Sequence, residues 1–247
     1  MTYSIIARDE ATGHLGIAVA SRFFAVGALV PHLAGDVGVA TQAFVNPMWG
    51  VEGAAMLAQG LPATEVLATL IARDAGETQR QCHMIDRNGA VAAHTGAACV
   101  DWAGHIADHD VSVAGNMLTG PEVIEATRDA WLSTSDQAMP DRLLTAMRAG
   151  EVAGGDKRGR QSAALVITRG EPYPWLDLRV DDHGDPLTEL GRLLAVARER
   201  FVYFAENMGT RARFEGTTDR ALLDAQLASL EQEWAETGYV SASAAVP

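Results

Sequence analysis

The sequence predicts an α+β fold, with mostly antiparallel sheets and helices on their outer faces. Three observations carry this. Strand-like runs come in groups, helical runs come in pairs between those groups, and the one-by-one alternation of a doubly wound fold is missing. At 247 residues, 48% apolar and 21% charged, the chain can bury a substantial core without staples.

The opening TYSIIARD alternates and is rich in β-formers, so it reads as a strand. EATGH is a turn, and LGIAVASRF is a second strand that completes a hairpin. VGVATQAF is a third. VEGAAMLAQG and LPATEVLATLIARD show helical spacing, punctuated by Gly60 and Pro62. QCHMIDR, AVAAHTG and VSVAGNML return to strands. The first two are joined through Arg87-Asn88-Gly89, where Asn-Gly is a strong hairpin signal. PEVIEATRDAWL and MPDRLLTAMRAG are helices with Pro near their starts. GGDKRGR is a glycine-rich loop, followed by strands at QSAALVITRG and WLDLRVDD. PLTELGRLLAVARERFVYFAEN reads as one long helix. TTDRALLDAQLASLEQEWAET reads as another, with Thr217 or Thr218 as N-cap. The organisation expected is a domain over residues 1–185, then a helical extension over 186–247 with a disordered tail. More than one face of the terminal helices carries apolar groups, including Phe201, Tyr203, Phe204 and Trp234. They pack on the domain's own sheet or on a partner subunit, and a homo-oligomer is expected.

The net charge of −13 argues against a nucleic-acid surface, which needs clustered Lys and Arg. The N-terminus lacks a signal-peptide pattern, and no apolar run spans a bilayer. The two cysteines, Cys82 and Cys99, have no metal-ligand spacing and suit a reducing compartment. The expectation is a cytoplasmic protein with neither membrane nor nucleic-acid partner.

Several residues can carry chemistry. Removal of Met1 would leave Thr2 with an amine and a hydroxyl on one residue. An α-amine of pKa about 7.7–8.0 is partly a free base near neutrality. It can activate the adjacent hydroxyl as a nucleophile. Otherwise Thr2 is simply the first residue of a strand. Ser4 shares its face, because strand side chains alternate. Asn116 in AGNML is a donor suited to a developing oxyanion, or a strand-end Asn. Gln42 and Asn46 follow the third strand and could line the same cleft. In GGDKRGRQS, Arg158 and Arg160 can present forked donors to a carboxylate, with Asp156 orienting one of them. The alternative is a solvated basic turn. His105 and His109 are four apart, but that spacing matters only on a helix. No metal and no cofactor are expected. Trp49 and Trp102 wall a pocket or are simply partly buried.

T-Y-S-I-I-A followed by G-H-L-G-I-A-V-A-S-R-F-F-A-V-G resembles the opening of N-terminal-nucleophile hydrolases, the proteasome branch in particular. The matching positions are Thr2, Ser21, Arg22 and Gly27. SRFFAVGALVP, GVATQAFVNP, WAGH, AGNMLTGPEV, GGDKRGRQSAAL and DLRVDDH extend the likeness over residues 2–183. Over that span the chain is similar to a bacterial and archaeal family of uncharacterised proteins assigned to that superfamily. The resemblance implies a four-layer αββα sandwich and amidohydrolase chemistry on a small amide or carboxylate, with Thr2 as nucleophile and Ser21 and Arg22 in the site. The pattern departs from the proteasome's in two places. Ala20 stands where that branch has an acid before Ser-Arg, and its downstream lysine has only His32 as a loose counterpart. Proteasome-like peptidase activity therefore does not follow. A non-catalytic protein that binds a small ligand on the same fold is the alternative.

Overall fold

The structure, a computed structural model, describes residues 2–245. The expected removal of Met1 concerns a residue outside that range. Ten strands are described: β1 (Thr2–Arg8), β2 (Leu15–Ser21), β3 (Pro31–Ala34), β4 (Val37–Ala43), β5 (Arg80–Ile85), β6 (Val91–Thr95), β7 (Trp102–Asp108), β8 (Val111–Leu118), β9 (Ser162–Thr168) and β10 (Leu176–Val180). Seven α-helices accompany them: α1 (Pro47–Ala58), α2 (Ala63–Arg73), α3 (Glu122–Ser133), α4 (Met139–Val152), α5 (Pro186–Glu199), α6 (Phe201–Glu206) and α7 (Arg220–Thr237). The chain divides into two compact units, one ending at Leu190 and the other beginning at Gly191.

The strands form two sheets, one in the order β10-β9-β2-β1-β8-β7 and one in the order β3-β4-β5-β6. Every pairing is antiparallel. Strand alternation sorts the side chains of β1. Tyr3 turns toward the helix pair, where its hydroxyl donates to the Met147 carbonyl of α4 at 2.9 Å. Ile6 turns the other way. It joins Ile17, Val19 and Ala164 of the six-stranded sheet in a core with Ala40 and Ile85 of the four-stranded sheet. On the far side of the smaller sheet, Val39, Cys82 and Met84 pack with Trp49, Leu57, Val66 and Leu70 of α1 and α2. Both faces of the central strands are thus covered, which is why β1, β2, β8 and β9 read as nearly continuous apolar runs.

The structure corrects the sequence reading in four places. β3 is only four residues long and starts at Pro31, a residue tolerated at the first position of an edge strand. β7 is another edge strand, with no fully buried residue, so it lacks the burial that patterns a sequence. The expected single helix from Pro186 breaks at Arg200, whose φ is −145°. The N-cap of α7 is Asp219 rather than a threonine, its carboxylate accepting from the Leu222 N–H at 3.1 Å. The Asn88-Gly89 turn does join β5 to β6; Gly89 takes φ 83° and the Asp86 carboxylate accepts from Asn88 N at 2.9 Å. Residues 239–245 have no helix or strand, but Ser241 and the Ala242 N–H bond to the Glu199 carboxylate. Among the described residues no helix is long and apolar enough to cross a membrane.

Candidate active site

Thr2 lies in the middle of the larger sheet, because β1 pairs with β2 on one side and β8 on the other. The register sets Thr2 opposite Ser21 and opposite Asn116, and Ser21 opposite Ser162 of β9. Asn116, Thr2, Ser21 and Ser162 therefore form one polar row across four adjacent strands, all buried. Directly opposed side chains in antiparallel strands have Cβ atoms about 4.5–5.5 Å apart. The Thr2 and Ser21 hydroxyls meet at 3.1 Å.

The next turn of the same face is a buried hydrogen-bond chain, and its direction can be worked out. Gln81 Nε2 lies 3.0 Å from the Gly104 carbonyl and 2.8 Å from the Gly115 carbonyl. Carbonyls only accept, so the Gln81 amide must turn its NH₂ to them. Its oxygen then faces Asn116 Nδ2 at 3.0 Å and Gln42 Nε2 at 2.9 Å. The Gln42 oxygen in turn receives the Ser4 hydroxyl at 2.7 Å. With its proton committed, Ser4 can only accept from His83 Nε2 at 2.9 Å. His83 is fully buried with no carboxylate bonded to it, and burial pushes its imidazole down to about 3. Neutral His83 is therefore the Nε2–H form, and Ser112, 2.9 Å from Nδ1, has one proton for that nitrogen and the Ile106 carbonyl. Two backbone carbonyls at one end thus fix the orientation of Asn116. They leave it a second N–H beyond the one given to Gln81.

The loop after α4 closes one side of the row. Gly154, Gly155 and Gly159 all take positive φ, at 129°, 50° and 106°. At Gly154 a Cβ would sit 2.2 Å from the Thr119 hydroxyl, so no side chain fits. Asp156 is buried and latches the loop. Its carboxylate accepts from the backbone N–H groups of Arg22 and Arg158, both at 2.8 Å, and Arg158 Nη2 lies 3.3 Å away. Asp156 also bridges to Leu118 at the end of β8. Arg158 is about 38% exposed at its side chain. Arg22 donates to Gln161. Arg160 is held by Glu151 and lies 3.8 Å from Asp185. Lys157, the only lysine in the chain, pairs with Asp101.

On the other side of Asn116 is a cleft of about 190 Å³ walled by Ala43, Phe44, Cys99, Val100 and Met117. Two of these residues have left-handed backbones without being glycine, Ala43 at φ 68° and Met117 at φ 54°. Met117 is the extra residue where the β7–β8 register shifts, a bulge immediately after Asn116. Backbone strain of this kind clusters at ligand sites.

The structure thus brings Thr2, Ser4, Ser21, Gln42 and Asn116 together, with Arg22, Asp156 and Arg158 at the rim. His32 does not join them. It lies on β3 against α1, where a Cβ on Gly50 would come within 2.0 Å of its ring, and it bonds to the Leu29 carbonyl at 3.2 Å. Asn46 caps α1 by accepting from Met48 N and reaches Asp74 at 3.0 Å. Trp49 is buried and donates to Asp74 at 2.9 Å. His105 sits on β7 bonded to Thr95, and His109 beside Asp110 in the turn after it. Among the described residues no group of three or more His, Cys, Asp or Glu could hold a metal ion. Gln81 was not foreseen. The available signal was the alternation of Gln81, His83 and Ile85 on one face of a strand whose other face is apolar.

A family model described as a family of unknown function, DUF1028, matches residues 2–190. The crystal structure of protein SPO2555 from Silicibacter pomeroyi, described with the same family model, is 30% identical with a TM-score of 0.80, covering 88% of this chain and 99% of that one. No curated protein matches the chain.

Proposed function

The chain belongs to the DUF1028 family, and from its geometry we propose that it is an N-terminal-nucleophile amidohydrolase acting on a small amide or peptide-like molecule. Helix pairs packed outside two facing sheets support assignment to the four-layer αββα sandwich of that superfamily. One observation carries the chemical reading: the register that sets Thr2 between Ser21 and Asn116.

With Met1 removed, the Thr2 hydroxyl attacks the substrate carbonyl carbon and its proton passes to the Thr2 amine, directly or through water. The carbonyl oxygen becomes an oxyanion, and the spare Asn116 N–H is the donor for it. The amine then returns the proton to the leaving nitrogen as the C–N bond breaks, leaving an ester on Thr2. Water, deprotonated by the same amine, cleaves that ester and restores the hydroxyl. Arg158, partly exposed at the rim and 3.3 Å from the Asp156 carboxylate, can turn its guanidinium to a substrate carboxylate. Arg160 spends its charge on Glu151 and Asp185. The test is the intact mass of untagged protein, followed by amide hydrolysis by wild type and Thr2→Ala. Full activity in Thr2→Ala would sink the mechanism.

A second reading is a non-catalytic protein that binds a small carboxylated ligand. It is favoured by the partner of the Thr2 hydroxyl, which is the neutral Ser21 hydroxyl rather than a basic group. Retention of Met1 on the mature chain would select it, because an acylated amine is not a base.

A further inference from the structure

We propose that the cleft beside Asn116 is a specificity pocket that takes an uncharged, apolar group on the acyl side of the substrate, of the size of a leucine or methionine side chain. This rests on the Thr2 reading. Asn116 belongs to both the polar row and the cleft wall. A carbonyl whose oxygen meets the Asn116 amide lies at the edge of that wall, within reach of an acyl substituent lodged in the cleft.

The wall is built for apolar contact. None of its lining side chains carries a charge, and beside the Gln79 and Asn116 amides the lining is Ala43, Phe44, Ala98, Cys99, Val100 and Met117. Phe44 is 70% exposed and Val100 is 59% exposed, which is large apolar surface left in water at one place. Exposed as it is, Phe44 is held rigidly. Its N–H donates to the Gln79 carbonyl at 3.2 Å, and its own carbonyl receives Arg80 Nη1. The Arg80 guanidinium lies 5.5 Å from the Phe44 ring centroid. Arg80 is anchored in turn by Asp74 at 2.9 Å, and Asp74 also receives Asn46, Trp49 and the Gly76 N–H. An apolar surface fixed before binding loses little freedom when a ligand covers it. Ala43 and Met117, both with left-handed backbones, also line the cleft. At about 190 Å³ the cleft is below the roughly 300–1,000 Å³ of pockets for whole drug-sized ligands, so it suits one side chain.

Cys99 in this wall provides the readout, since the other cysteine, Cys82, is fully buried. The experiment follows alkylation of Cys99 by iodoacetamide, read by peptide mass spectrometry on the full mature chain. Increasing N-acetyl-leucinamide, N-acetyl-methioninamide, N-acetyl-glycinamide or N-acetyl-aspartamide is present, and hydrolysis is followed in parallel. The leucine and methionine amides are expected to protect Cys99 at concentrations about tenfold lower than the glycine amide, as burial of a few carbons gives. The aspartate amide is expected not to protect. Phe44→Ala should shrink that preference while the protein stays folded, because Phe44 is on the surface. Equal protection by all four amides, or protection by none, overturns the pocket. The two readings fail separately. If the leucine amide protects but its cleavage is absent or persists in full in Thr2→Ala, the cleft still binds an apolar group and it is the Thr2 mechanism that falls. If the aspartate amide is cleaved in a Thr2-dependent way without any preference for leucine, the pocket falls and the mechanism stands.

Discussion

The Gln81 side-chain oxygen accepts the Asn116 amide N–H at 3.0 Å, deep between the two sheets. The bond holds Asn116 in one orientation, since the Gln81 amide is itself fixed by the Gly104 and Gly115 carbonyls. Gln81→Leu would free Asn116 and leave the Gln42 amide and two carbonyls without their partner. Each buried polar group so orphaned costs about 1–3 kcal/mol. The expected outcome is a lower urea midpoint and a fall in kcat that exceeds any change in KM. A variant that loses stability but keeps kcat would reduce Gln81 to a core residue.

Thr2 and Ser21 separate chemistry from support. Thr2→Ala should lower the rate by about 10³-fold or more, as loss of a nucleophile does, with little change in stability. Thr2→Ser should keep measurable activity, because hydroxyl and amine both remain. Ser21→Ala removes the neutral hydroxyl that meets Thr2 at 3.1 Å, a contact worth about 1 kcal/mol, and should lower the rate far less than Thr2→Ala does. Rates on one cleaved amide, with circular dichroism for folding, check all three.

Much of this was legible in the sequence, for reasons the residues make plain. β1, β2, β8 and β9 are central strands, so their apolar runs are long; Thr2 was marked by its place after Met1, Ser4 by alternation from it, Asn116 by its donor chemistry, and Ser21 only by the family resemblance. β3 and β7 are edge strands without a fully buried residue, so no burial pattern marks them in the sequence. The GGDKRGR loop was visible through its glycines, but not the fate of its charges. That Arg160 is spent on Glu151 while Arg158 stays at the rim depends on where α4 ends relative to the sheet. Gln81 was missed because the alternation of Gln81, His83 and Ile85 marks a face of the strand without telling whether that face is buried or in solvent. Its role arises from β8, some 35 residues away in sequence. The cleft was missed because β4 stops at Ala43, through a left-handed turn that an alanine does not advertise.

Asp74 is the buttress of the cleft wall. The Arg80 guanidinium, with the Asn46 amide and the Gly76 N–H, holds its carboxyl far below the ordinary range. Stability from this pair is present above the ordinary carboxylate pKa and is lost as pH falls through the lower folded value. Asp74→Ala leaves Trp49 without its acceptor and Arg80 with only the Phe44 carbonyl, and should cost about 3 kcal/mol. Arg80 would no longer be held over Phe44, so Cys99 alkylation should speed up even where the protein remains folded. Unchanged alkylation in folded Asp74→Ala would mean that Phe44 is fixed by its backbone bonds alone.

His83 gives the core a pH dependence whose sign can be worked out. Burial pushes its imidazole from an ordinary 6.5 to about 3, whereas in the unfolded chain it titrates near the ordinary value. Between those two values the unfolded state binds a proton that the folded state refuses. Stability therefore declines as pH falls through 6.5 and goes on declining until about 3. From pH 7 to pH 5 this single group removes about 2 kcal/mol. His83→Gln keeps an amide in the hydrogen-bond chain but cannot titrate. The variant should be less stable than wild type at pH 7, through imperfect bonds to Ser4 and Ser112, yet lose about 2 kcal/mol less on going to pH 5. His105 is also pushed down by burial, but it is present in both proteins and cancels in the difference. Urea unfolding of both at the two pH values gives the four numbers needed. Equal losses on acidification would mean that His83 gains its proton without unfolding, with the imidazolium donating to both Ser4 and Ser112.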